Sequence, residues 1–149
     1  MNVDATITRE DSILLQADPE RVFNVLVDLH SYNEWWPRSI RFRFDVPGPA
    51  RVGTRMRIVN ERLVRWVAEV TALEANRRIT FRYAEGAWRG TAGWTLKPEP
   101  GGVRVSYSID IRPVPFWLRM LSRFLDLGAM HSKRMQGVLQ RLKARLSRD

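Results

Sequence analysis

Three residues in this sequence join a titratable or hydroxyl group to an otherwise apolar face: Tyr83, Tyr107 and His131. His131 falls on the apolar side of a helical pattern, between Phe124, Gly128 and Met135, and Gly128 one turn earlier leaves room beside it. A histidine there can hydrogen-bond a ligand carbonyl or act as a general base near neutral pH. A tyrosine or a backbone carbonyl of the core can satisfy it equally well. Tyr83 and Tyr107 occupy inward positions of strand patterns. A buried phenol needs a partner, so each bonds either to the protein or to a ligand. A third feature is aromatic: HSYNEWWP, residues 30–37, sets His30, Tyr32, Trp35 and Trp36 ahead of Pro37. Adjacent tryptophans are not expected to point into one core, so one ring covers it and the other has a different neighbour. His30, at a helix end, is expected to be exposed.

Other chemistries lack their residues. There is no cysteine, hence no disulfide, thiolate metal site or cysteine nucleophile. The sequence has no phosphate-binding Gly-rich loop, no His-x-x-x-His and no G-x-S-x-G elbow. With two histidines and carboxylates mostly at loops and outward positions, neither a metal, a cofactor nor a two-carboxylate hydrolase is expected.

The elements that must hold these side chains are legible from periodicity. Residues 7–17 form a first strand. Asp18-Pro19-Glu20 starts a helix, with an N-cap, a proline at the first position and an acid in the first turn. Val22, Phe23, Leu26 and Leu29 recur at helical spacing. Ser31 and Glu34 have the spacing of a capping box for a short second helix that Pro37 limits. Apolar residues then alternate with polar ones through six short segments: 40–46, 55–58, 63–73, 79–83, 88–96 and 103–111. That pattern predicts an antiparallel sheet with one wet and one buried face. In the segment 63–73 the phase is ambiguous; Val64, Trp66, Ala68 and Val70 are taken as inward, with Asn60 and Trp66 as further cavity groups. Gly90 and Gly93 mark either a bend of a curved sheet or a close approach of something else. One long helix is predicted from Pro115 to Leu146, its stripe running through Trp117, Met120, Leu121, Phe124, Gly128, Met135, Val138, Leu139, Leu142 and Leu146.

The predicted fold is therefore α+β: a curved seven-stranded antiparallel sheet wrapped around a long C-terminal helix, with two short helices after the first strand. Residues 1–149 are read as a single domain, and the absence of an apolar run long enough to span a bilayer points to a cytoplasmic protein. One helix cannot fill both ends of a curved sheet, so a cavity is expected between them. The net charge of +9 is concentrated: residues 112–149 hold nine Lys and Arg against two Asp.

The order of elements, with ADPERVFNVLVDLHSYNEWWP at 17–37, VGTRMRI at 52–58 and AEVTALEANRRITFRY at 68–83, resembles the START-like superfamily over nearly the whole chain. It includes polyketide cyclases and aromatases, coenzyme-Q-binding proteins and lipid-transfer domains. The resemblance implies a helix-grip cavity whose one end the short second helix closes, with Trp35 as plug against the long helix and Trp36 at the rim. Met56, Trp66, Phe81, Tyr83, Trp88, Trp94 and Tyr107 from the sheet, and Met120, Phe124, Gly128 and His131 from the helix, are then expected to face a ligand.

Three functions fit. The first is a non-catalytic carrier or sensor of a hydrophobic small molecule: a lipid, a quinone or a polyketide-like aromatic. The second is a cyclase or aromatase using His131, Tyr83 and Tyr107 as acid–base groups. The third is docking of the basic helix on a partner, or a weak contact with an anionic membrane, against which stands the fold's own need for the helix stripe. No nucleic-acid contact is expected, and oligomeric state is left open.

Overall fold

The computed structural model describes residues 6–148. Seven strands form one antiparallel sheet in the order β1-β7-β6-β5-β4-β3-β2. They are β1 (Ile7–Leu15), β2 (Arg41–Phe44), β3 (Arg55–Val59), β4 (Arg65–Glu74), β5 (Arg78–Gly86), β6 (Trp88–Glu99) and β7 (Gly102–Pro113). Every neighbour except the β1–β7 pair is also a neighbour in sequence, so short turns suffice to connect them. β1 closes the other edge by pairing with β7 from Ile7↔Ile111 to Leu15↔Val103.

The alternation read from the sequence sorts correctly onto the two faces. Val103, Val105, Tyr107, Ile109 and Ile111 of β7 are buried, as are Ile79, Phe81 and Tyr83 of β5. In the ambiguous segment the inward set is Val64, Trp66, Ala68 and Val70. The ambiguity has a cause. Register shifts between Val67 and Ala68 and between Val70 and Ala72 change the phase of β4, as bulges do. The glycines of β6 serve the sheet itself. A Cβ on Gly90, whose φ is +134°, would sit 2.1 Å from the Asp110 carbonyl oxygen. One on Gly93 would lie 2.6 Å from that of Ile79. Neighbouring backbone occupies the space their missing side chains leave.

Asp18 caps α1 (Pro19–Val27) through its carboxylate, which accepts from the Glu20 N–H at 3.0 Å. Val22, Phe23 and Leu26 of this helix are buried. The cap expected at Ser31 does not form. A 3-10 turn, Leu29–Ser31, runs directly into α2 (Tyr32–Trp35), so Ser31 is itself helical (φ −80°, ψ −9°). An N-cap needs extended dihedrals; Ser31 instead donates its hydroxyl to the Asp28 carbonyl at 2.7 Å.

The predicted long helix is two helices: α3 (Phe116–Phe124) and α4 (Leu127–Ser147). Leu125 is extended (φ −121°, ψ 142°), and Asp126 caps α4 by accepting from the Ala129 N–H at 2.9 Å. A side-chain acceptor at that point offers the backbone an alternative to continuing the helix. α4 retains the predicted stripe, with Gly128, Met135, Val138, Leu139, Leu142 and Leu146 buried. α3 keeps only Leu118 fully buried. Phe124, predicted to face the sheet, is 80% exposed because the break turns it away.

Candidate functional site

α4 is fixed to the edge strand by a small polar cluster. Arg9 Nε donates to Ser132 Oγ at 2.9 Å; Ser132 Oγ and Gln136 Nε2 donate to the two oxygens of the buried Asp11 at 3.0 and 3.2 Å. With the helix held there, its N-terminal half stands off the middle of the sheet. The space between is an apolar cavity of about 150 Å³, bounded by the sheet, α3 and the first two turns of α4.

Most of the residues expected around a ligand line this cavity: Met56, Trp66, Phe81, Tyr83, Trp88, Trp94 and Tyr107, all from the sheet, with His131 from α4. Four do not. Phe124 is in solvent, Met120 is half-buried on α3 without reaching the cavity, and Gly128 packs on the side chains of Ile7 and Arg9 of β1, 3.3–3.5 Å from a Cβ built there. The fourth is Trp35, while Trp36, expected at the rim, is the tryptophan that reaches the cavity. Trp35 is buried behind it. Both are in the core, against the expectation that adjacent rings diverge. α2 ends at Trp35 and Trp36 is extended (φ −70°, ψ 159°), which lets the two rings lie 5.9 Å apart at 51° on the same side. Tyr32, Phe42, Ile58, Ile109 and Ile111 also line the cavity. Their strand phase or their place beside the tryptophans was the available signal. Trp117 and Leu121, both on the predicted helix stripe, line it too, as does Met130 from the start of α4. His30 is exposed and stacks on Phe44, with ring centroids 4.1 Å apart.

The walls are rings set at angles to one another. Trp94 meets Tyr107 edge to face at 4.7 Å and 63°, and Trp36 meets Trp94 at 6.4 Å and 85°. Such contacts are favourable and directional, so the walls resist collapse. Against them stand a few polar groups. The Tyr83 and Tyr107 hydroxyls hydrogen-bond each other at 2.9 Å. The pair uses one of its two hydroxyl protons internally. No other acceptor among the described residues takes the second, so one O–H remains to donate into the cavity. Burial pushes the Tyr83 pKa up, opposed by the Tyr107 hydrogen bond and by the Trp66 N–H directed at it. Burial pushes Tyr107 well up, and its neighbour Tyr83 adds to the effect. Both phenols are therefore donors at neutral pH. The indole nitrogens of Trp36, Trp66 and Trp94 are buried without a full hydrogen bond among the described residues.

His131 lies 6.2 Å from the Tyr107 ring, nearly parallel to it. Its Nδ1 is buried and has no hydrogen-bond partner among the described residues. Burial lowers its pKa to about 4; Asp11 opposes this, while Arg134 and Arg9 add to it. The imidazole is neutral at pH 7 and offers an acceptor or a donor according to tautomer. No carboxylate among the described residues hydrogen-bonds it, since Asp11 is occupied by Ser132 and Gln136.

At the mouth, Asn60, Glu61 and Arg62 of the β3–β4 turn face Met130 and Arg134 of α4, and an Arg134–Glu61 ion pair joins the two sides.

Residues 6–147 match the family described as polyketide cyclase / dehydrase and lipid transport. Among solved structures, the chain resembles the Zhui aromatase/cyclase of Streptomyces sp. R1128 (TM-score 0.78, 14% identity, 97% of this chain and 95% of that one). It also resembles a START superfamily protein from Mycobacterium smegmatis (TM-score 0.72, 12% identity, 97% and 99%). A third likeness is to a protein from Thermus thermophilus (TM-score 0.73, 21% identity, 95% and 97%). At these identities the likeness concerns the fold. No curated protein matches the sequence.

Proposed function

This chain belongs to the polyketide cyclase / dehydrase and lipid transport family, and from that premise we propose that it binds a compact hydrophobic molecule bearing one oxygen acceptor, as a carrier or sensor. The observation that carries this reading is the Tyr83–Tyr107 hydroxyl pair, with one proton to donate, set in an otherwise apolar wall. A buried donor left unmatched costs about 1–3 kcal/mol, so a ligand oxygen at that point gains what a hydrocarbon does not. Volume narrows the class further. An apolar cavity of about 150 Å³ takes benzene, whereas sites for drug-sized ligands measure about 300–1,000 Å³. The cavity as it stands suits a ligand of about one or two rings; a larger one requires α3 to shift outward.

A second reading, cyclase or aromatase chemistry, is favoured by one observation. A neutral His131 and a free phenolic proton border the same space, so an acceptor and a donor are both available to a carbonyl-rich substrate. Binding without catalysis is preferred because nothing among the described residues orients or activates His131.

Native mass spectrometry of freshly purified protein, followed by competition of a hydrophobic fluorescent probe, tests the proposal. One small aromatic ketone or phenol per chain is expected, bound more tightly than the hydrocarbon of the same shape. Hydrocarbons competing equally well would remove the polar anchor from the proposal. No one-to-one binding of any such compound would remove the carrier. Loss of turnover in His131→Ala, at an unchanged melting temperature, would favour the enzyme.

A further inference from the structure

The break at Leu125–Asp126 removes the objection that one apolar stripe cannot both pack on the sheet and meet a partner. α4 does the packing, and α3 is left with an apolar face of its own. Phe116 is 69% exposed, Trp117 55% and Phe124 80%. At about 100° per residue these three and Met120 share an arc of about 100°. Leu118 and Leu121 lie on the next side, turned to the core and the cavity. Across the mouth, Leu63 at the tip of the β3–β4 turn is 72% exposed and held at φ 61°, a left-handed conformation unusual for leucine. Monomeric proteins do not expose large aromatic side chains in such a group without a use for them.

The charges around the patch point to the occupant. Arg119 and Arg123 border the apolar arc on α3, and the exposed Arg62 precedes Leu63 in the β3–β4 turn. Arg62 and Arg123 have no ion-pair partner among the described residues. A symmetric contact with a second copy would press these positive charges against themselves. An anionic bilayer surface matches both features: aromatic side chains enter the headgroup region while arginines meet lipid phosphates.

We propose that α3 and the Leu63 turn form a docking surface for anionic membranes. Docked this way, the cavity mouth lies against the lipid, because Trp117 both lines the cavity and belongs to the exposed face. That the contact serves ligand exchange rests on the binding function proposed above; the docking itself does not.

Vesicle sedimentation tests it without any cavity ligand, so failure here and failure of ligand binding are separable. Vesicles of equimolar phosphatidylcholine and phosphatidylglycerol are expected to pull down the protein at low salt, with binding falling steeply as salt rises. Vesicles of phosphatidylcholine alone are expected to pull down little. Phe124→Ser with Phe116→Ser should weaken partitioning roughly a hundredfold, about a factor of ten for each aromatic removed from the interface. Arg123→Glu should weaken it about fivefold or more. Both phenylalanines and Arg123 are exposed, so circular dichroism and melting temperature should be those of the parent. A protein that stays in the supernatant at low salt overturns the proposal, as does binding that the serine pair leaves unchanged. Concentration-dependent dimerisation lost in the serine pair, with no vesicle binding, would reassign the patch to self-association.

Discussion

The two halves of α4 face one sheet but meet different surroundings. From Val138 to Leu146 every inward side chain is filled against the core: Val138, Leu139 and Leu142 have no exposed surface. From Leu127 to Met135 the same stripe meets a cavity rimmed by tilted rings, a hydroxyl pair and an imidazole nitrogen with no partner among the described residues. The closed half needs only apolar volume, and it carries stability. The open half leaves polar atoms unmatched in apolar surroundings, which a protein selected for stability alone would avoid.

The largest expected effect falls on the closed half. Leu142→Ala should destabilise the fold by about 2–5 kcal/mol, the usual result of a cavity in a filled core, as read from denaturant unfolding. Probe stoichiometry at the other end should not change. If Leu142→Ala instead opens a second probe site or abolishes the first, the two halves are not independent.

His131 gives the next effect, through pH. Its folded pKa of about 4 lies below the value of about 6.5 for an unfolded histidine. Between those values the unfolded chain binds a proton that the folded chain does not. The stability attached to the neutral imidazole is therefore full above about pH 6.5, falls as the pH drops towards about 4, and changes no further below that. The loss approaches roughly 3 kcal/mol at most. Thermal melts from about pH 7 to about pH 4 on the parent and on His131→Gln should show this slope flattened in the variant. Equal slopes would mean that the ring is hydrated and the open half is wet.

The smallest effect sharpens the contrast within the open half. Tyr107→Phe leaves the Tyr83 hydroxyl without its partner and should cost about 1–2 kcal/mol, while removing both hydroxyls should cost little more or even less. A double-mutant cycle on melting, repeated with a phenolic probe bound, checks it. If the probe is indifferent to both substitutions, the hydroxyl pair is a structural contact and not an anchor.

Local chemistry made much of this legible in advance. Alternation over 103–111 decides which side of β7 is buried, because side-chain direction reverses at each residue whatever the neighbours are. Asp18-Pro19 decides where α1 begins, since the capping bond spans only two residues. The sequence also identified Tyr83, Tyr107 and His131 as the polar groups to watch. It did not show that the two phenols bond each other, a contact across 24 positions that depends on the pairing of β5, β6 and β7.

The rest was decided in three dimensions. Asp126 was a readable cap, yet the stripe from Trp117 to Leu146 hid it, because a helical wheel assumes the helix is straight. Trp35 and Trp36 could be ranked only once α2 had ended between them and turned the second ring inward. Periodicity and caps belong to the sequence because they depend on residues a few positions apart. Which apolar face is covered, which is left to solvent and how much space remains between helix and sheet depend on curvature, bulges and bends. Those emerge only when the whole sheet is paired.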